Sequence, residues 1–203
     1  MGGAEYMKSI KKYETIINEA LRSALEYDTP EGQINEFISF FGKHIGSDRI
    51  YIFEDDEEHH VTNNTYEWCT EGITPQIEHL QGVNMEVIDW WYDTFEEGKS
   101  VIISDVEELK GVHQVSYNML KYQNVHKVDV SPLRHKGQIR GFFGVDNPPA
   151  VDYNALTMFL DMIGTMLISF LKIRNTFQKE QYNASMSSYS ALSEIYLCMH
   201  LID

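Results

Sequence analysis

Cysteine is scarce in this chain: two in 203 residues, Cys69 and Cys198, far apart and without CxxC spacing. That excludes a disulfide framework and a zinc ribbon and fits a reducing compartment. Basic residues are also few. Sixteen Lys and Arg stand against 31 Asp and Glu, a formal charge of −15, and so acidic a surface repels both a phosphate backbone and an anionic bilayer. Long hydrophobic runs are missing. The longest, Met162 to Leu171, is interrupted by Gly164, Thr165 and Ser169 and is about half a bilayer span. The first 27 residues are charged and amphipathic, without the apolar segment of a secretory signal. Neither GxGxxG, a P-loop, GxSxG, HExxH nor an EF-hand loop occurs. His59 and His60 are adjacent and point apart, and no other histidines show ligand spacing. The expectation is a soluble, cytoplasmic protein that is not an enzyme, with no metal, nucleic-acid or membrane partner.

What is present is a foldable core: 43% of residues are hydrophobic and 12% aromatic, too many for a disordered chain. Ile10, Tyr13, Ile17, Ala20 and Ala24 make one stripe of an amphipathic helix over Glu5 to Tyr27. Thr29-Pro30 reads as an N-cap and first helical residue, and the helix it opens carries Ile34, Phe37, Ile38, Phe41 and Ile45 before Gly46 ends it. From Asp48 the period changes to two. Strands are expected at Arg49 to Glu54 and Val61 to Thr70, joined by an acidic turn. Asn84 caps a helix bearing Val87, Ile88, Trp91, Tyr92 and Phe95 that closes at Gly98. A short strand follows at Ser100 to Ile103, then an irregular stretch with helical pieces to Gln123. His126 to His135 and Gln138 to Asp146 form a hairpin whose turn is Lys136-Gly137. This order is an α+β layer around an antiparallel sheet.

A long helix follows. Leu156, Phe159, Ile163, Met166, Phe170, Ile173 and Phe177 repeat at spacings of three and four, with Leu160, Leu167 and Leu171 beside them. A seven-residue repeat with a second apolar flank predicts packing on the chain's own domain and on a partner helix, hence a homodimer. A wide core-facing stripe with no partner is the other reading. Residues 178–190 are Gln- and Ser-rich and linker-like, and residues 191–203 turn apolar again, as a following, truncated module would.

The middle of the chain concentrates aromatic residues in the first hairpin, the helix after it and the irregular stretch. They either fill core or line a concave, largely apolar pocket. On the second reading the ligand-binding candidates are Phe53, Trp68, Trp91, Tyr117 and Asp129. Asp129 shares a strand face with Ser131, opposite Val128 and Val130, and a carboxylate there needs a polar neighbour or water above it. An acid–base role for Asp129 is a further alternative, with no second group in the sequence to pair with it. Cys69 stands between Glu67 and Glu71, which disfavour a thiolate, so it reads as a structural cysteine.

The segments Ser47 to Phe53, Thr65 to Gly72 with Pro75 and Leu80-Gln81, and Pro132-Leu133 with Lys136-Gly137 and Gly141 to Pro148 resemble the GAF family over about residues 13–177. The resemblance implies an antiparallel sheet with the terminal helices on one face, pocket helices and loops on the other, and a long C-terminal signalling helix. It implies these divisions: residues 1–28 an amphipathic helix, 29–177 the GAF domain, 178–190 a linker and 191–203 the start of a PAS-like or similar module. It also implies a sensory function: an unidentified small ligand or partner, and a downstream output domain in the same polypeptide, such as a bacterial GGDEF diguanylate cyclase. An assembly module without ligand is the alternative within the same fold. The NKFDE signature of cyclic-nucleotide-binding members is missing, no cysteine is placed as in bilin-attaching members, and the cysteine set of the free methionine sulfoxide reductases is not evident. No cofactor is therefore named.

Overall fold

The computed structural model describes residues 3–149 and 153–200. Three helices make one layer: α1 (Gly3–Leu25), α2 (Pro30–Ile45) and α5 (Tyr153–His200). Thr29 caps α2 as expected, its Oγ1 accepting from the Gly32 amide at 3.1 Å, and Gly46 leaves it with a φ of 78°. The sheet contains β1 (Arg49–Asp56), β2 (Val61–Cys69), β3 (Val83–Asn84), β4 (Val101–Ile103), β5 (Val128–His135) and β6 (Gln138–Asp146). Their order is β3-β2-β1-β6-β5-β4, antiparallel throughout. The β5–β6 turn places Lys136 and Gly137 at φ 52° and 79°, the positive pair a two-residue hairpin demands. The short strand β3 was not read from the sequence. It is two residues long, below the length at which alternation shows.

The sheet separates two cores. On the helical side Tyr13, Ile17, Phe37, Phe41, Ile50, Ile52, Phe143, Val145, Leu156, Leu160, Ile163 and Leu167 pack together. On the other side α3 (Asp89–Glu96) and α4 (Gln114–Tyr122) cover Tyr51, Phe53, Val128, Val130 and Phe142. A 3-10 turn over Met85–Ile88 precedes α3, and Asn84 caps it by accepting from the Glu86 amide. Strand alternation explains the division: residues 49, 51 and 53 of β1 face α3 and α4, while 50, 52 and 54 face the long helices.

Two expectations change here. Residues 178–190 are not a break, because α5 runs through them to His200, a continuous 48-residue helix. Gln, Lys, Glu, Ala, Met and Ser sustain a helix, and neither Gly nor Pro occurs after Gly164 to interrupt it. Residues 191–200 continue the same helix, and Leu201 to Asp203 lie outside the described residues. The seven-residue seam also divides. Leu156 and Ile163 are buried in the domain's own core, and Phe159, Met166 and Phe170 pack against it, Phe170 with its ring 6.0 Å from Phe37. Only Ile173 and Phe177 of that series face solvent, at 54% and 36% exposure.

Candidate functional site

Between the sheet and the α3–α4 layer lies a cavity of about 40 Å³, measured as room for the centres of water molecules. That is space for roughly three waters, or a ligand of about five non-hydrogen atoms. Its apolar wall includes Phe53, Ile88, Trp91, Met119 and Phe142. The rings interlock: Phe53 stacks on Phe142 at 4.7 Å, and Trp91 meets Phe142 edge-on at 5.5 Å. Helix α3 is held over this wall from both ends. Tyr92 donates to Asp55 on β1 at 2.6 Å, and Arg134 on β5 donates to the Phe95 carbonyl. Trp90 Nε1 donates to Ser116 Oγ at 3.1 Å, which joins α3 to α4.

The opposite end of the cavity is polar and almost closed to solvent. Arg49 donates through Nη1 to Asp146 Oδ2 at 2.8 Å and Gln123 Oε1 at 3.1 Å, and through Nη2 to the Thr74 carbonyl at 3.0 Å. Its Nε lies 3.2 Å from Glu67 Oε1. Glu67 Oε2 in turn accepts from the backbone amides of Gln76 and Ile77. The register brings these residues together: Arg49 lies opposite Cys69 on one side and Asp146 on the other, and Glu67 opposite Tyr51. One guanidinium therefore serves two carboxylates.

Asp146 Oδ1 and Trp91 Nε1 are buried without a hydrogen-bond partner among the described residues. Both residues line the cavity. Burial pushes the Asp146 carboxyl up to about 7, against the opposing pull of Arg49. Burial likewise raises the Tyr51 hydroxyl beside it and the thiol of half-buried Cys69, consistent with a structural cysteine.

The sign of the resulting pH dependence follows from the proton count. An unfolded aspartate titrates near 4, so between that pH and about 7 the native state holds a proton the unfolded chain has released. This group's contribution to stability is then full below pH 4 and is lost as pH rises through 7. Asp146→Asn should remove that slope, at most about 1.4 kcal/mol per pH unit, from a plot of urea-unfolding free energy against pH. An unchanged plot would mean that Asp146 is ionised in the native protein across the window.

Of the sequence candidates, Phe53 and Trp91 line the cavity. Trp68 lies on the other face of the sheet, packed so closely on α2 that a Cβ on Gly42 would come within 2.3 Å of its ring. Asp129 also faces away: its neighbours in register are Ile102 and Val145, and Val145 belongs to the helix-side core. The sequence grouped Asp129 correctly with Ser131, but the ring-lined cavity forms on the face of Val128 and Val130. Tyr117 packs at the edge of the α3–α4 core and donates to Glu107 at 3.1 Å, outside the cavity lining. Arg49, Glu67, Gln123 and Asp146 were missed. For Arg49, Glu67 and Asp146 the available signal was a charge on a strand otherwise rich in aromatic and β-branched residues; Gln123, at the end of α4, carried none.

Among solved structures, the GAF domain of a phosphoenolpyruvate-protein phosphotransferase from Coxiella burnetii matches 84% of this chain and 98% of its own length. The TM-score is 0.61 at 10% identity. The fold is a GAF fold. A biliverdin-bound structure in a far-red-absorbing dark state has the same GAF arrangement, with a TM-score of 0.64 and 12% identity over 79% of this chain and 99% of that one. Free methionine-R-sulfoxide reductase from Neisseria meningitidis in complex with its substrate is similar too, with a TM-score of 0.60 and 11% identity over 82% of this chain and 92% of that one. No family model matches the sequence, and no curated protein does. At these identities the likeness establishes the fold alone. Among the described residues no helix is long and apolar enough to cross a membrane, and no cluster of His, Cys, Asp and Glu could hold a metal ion.

Proposed function

We propose that this chain is a sensory GAF module that binds a small ligand between the sheet and the α3–α4 layer and reports it through α5. The observation that carries this reading is the cavity itself, apolar on one wall, polar on the other, with buried polar atoms there, Asp146 Oδ1 and Trp91 Nε1 among them, lacking hydrogen-bond partners. Pockets of that character are the default ligand sites of globular domains. Two of the similar structures hold small molecules, biliverdin in one and a substrate in the other. Comparing the mass of the natively purified protein with its denatured mass tests the reading. An additional small mass per chain supports it; a clean mass from cells and from a metabolite-extract incubation overturns it in favour of an assembly module.

The route outward is short. Phe53 faces the cavity, and its neighbour Glu54 faces α5, where Arg174 grips it with two donors at 2.7 and 2.6 Å. A ligand that favours one position of β1 would shift the populations of two settings of α5. Beyond that clamp we assign the homodimer to Ile173, Phe177 and the helix that follows, and a downstream output domain, a GGDEF cyclase being one candidate, to the signal's destination. The interface is tested by Ile173→Glu with Phe177→Glu, because Phe170 is committed to the fold. Sedimentation should show a dimer for the parent and a monomer for the double variant, with the folded signal unchanged. Equal sedimentation would remove α5 from the interface. An enzymatic role is less well supported, since Asp129, the sequence candidate for acid–base work, lies on the far face of the sheet from the cavity.

A further inference from the structure

The polar end of the cavity is short of positive charge. The charged and titratable groups that face Asp146 are Arg49 and Tyr51 from β1 and Glu67 and Cys69 from β2, with the neutral Gln123 closing the ring. Arg49 is the cation of this set; its Nη groups donate to Asp146, Gln123 and the Thr74 carbonyl, and its Nε approaches Glu67 as an ion pair at 3.2 Å without a hydrogen bond. Glu67 is further served by two backbone amides. Asp146 receives one N–H, on Oδ2, and has the Tyr51 hydroxyl beside it, but its Oδ1 meets no N–H although the side chain is 3% exposed. A buried carboxylate in that position requires either a proton or a second cation.

We propose that the cavity takes a small aliphatic amine in its ammonium form, the N–H donated to Asp146 Oδ1 and the hydrocarbon part lying against Phe53, Ile88, Trp91 and Phe142. This rests on the reading of the cavity as a ligand site and names the class of ligand. A carboxylate ligand would face two carboxylates already present. A neutral alcohol would supply a donor but leave Glu67 and Asp146 sharing one positive charge. An ammonium supplies both donor and charge, and the apolar wall is left to the hydrocarbon part, which loses nothing by leaving water. The ligand has about five non-hydrogen atoms, set by the volume of the cavity.

The proposal fixes a direction for pH. The ammonium requires the ionised carboxylate, which burial holds protonated below about 7. Binding is then accompanied by release of about one proton at pH 6, and affinity rises roughly tenfold from about pH 6 to about pH 8. It levels off above that, until the amine itself loses its proton.

The experiment is calorimetric titration of the full chain with isobutylamine, isobutanol and isobutyrate at about pH 6 and about pH 8. The proton release is read by changing the buffer. The expected result is binding of the amine with that tenfold dependence, isobutanol weaker by at least about tenfold, and no binding of isobutyrate. In Asp146→Asn the preference for the amine and its pH dependence should both vanish. If that variant does not fold, the pH profile of the parent protein decides alone. Isobutanol binding as tightly as isobutylamine would overturn the amine assignment and leave the sensor reading standing. An amine affinity that ignores pH would overturn it as well. If none of the three binds, the amine assignment fails, and the native mass decides separately whether the cavity holds any ligand.

Discussion

Arg49→Met should unfold the protein or weaken it by about 3–5 kcal/mol, the largest loss expected from one side chain. The substitution keeps most of the volume and removes the guanidinium that two carboxylates share, leaving Glu67 and Asp146 buried without it. The loss is not that of a salt bridge in the ordinary sense. A paired buried charge adds little net stability, whereas an unpaired one is strongly unfavourable. The penalty should therefore grow with pH, because burial holds Asp146 protonated below about 7 and it must ionise for the penalty to be felt in full. The triple variant Arg49→Met, Glu67→Gln, Asp146→Asn should recover most of the stability, since neutral amides no longer need the cation. Urea unfolding at about pH 5 and pH 7.5 gives all three comparisons. A loss below about 1 kcal/mol in the single variant would mean that water, and not the guanidinium, satisfies this end of the cavity.

Gly141→Ala should cost about 3 kcal/mol or more, and for a reason confined to backbone. Gly141 has φ 136°, and a Cβ there would stand 2.0 Å from the Phe53 carbonyl oxygen. That oxygen belongs to β1 itself, so no rotamer change can relieve the clash; β6 must part from β1 where Gly141 lies opposite Glu54. Gly137→Ala is the control. It also sits at positive φ, but nothing lies within 4 Å of its Cβ, and its cost should stay near the 1–2 kcal/mol of backbone conformation alone. Similar losses in thermal unfolding for the two variants would contradict the close approach of the strands.

Gly141, Phe53 and Glu54 meet where β1 changes register against β2, between Ile52 and Phe53. Such irregularities re-aim side chains and are favoured next to functional sites. Here the two residues beyond the shift carry the cavity wall and the grip on α5, so a backbone variant at Gly141 should disturb both together.

The sequence read the elements well because each carries its own local signature. The Thr29-Pro30 cap, the i, i+3, i+4 stripes of α1 and α2 and the Lys136-Gly137 turn need no knowledge of the rest of the chain. The site was legible only in part, because it depends on register. Trp68 and Phe53 are both aromatic residues on strands of one hairpin, yet Trp68 pairs with Ile50 and so faces α2. Asp129 and Asp146 are both acidic residues on the later hairpin, yet only Asp146 reaches the cavity face. Nothing local distinguishes them. Arg49, Glu67 and Asp146 are separated along the chain and converge through strand pairing, and Gln123 reaches them from the end of α4. The length of α5 was underread for a different reason: Gln- and Ser-rich composition looks like a linker, but without Gly or Pro it is compatible with a helix.

That helix gives the module a mechanical gain. The last contact described between α5 and the body of the domain is Gln178, which donates to Glu31 on α2 at 2.9 Å. From there to His200 the helix extends about 33 Å at 1.5 Å per residue. With Glu54 and Arg174 acting as the fulcrum, about 39 Å from His200, each degree of tilt sweeps the far end through about 0.7 Å. A displacement too small to alter the core can thus become a movement as large as a side chain at the distant tip, and in the homodimer we propose, two such arms moving together would convert occupancy of the cavity into a change of spacing.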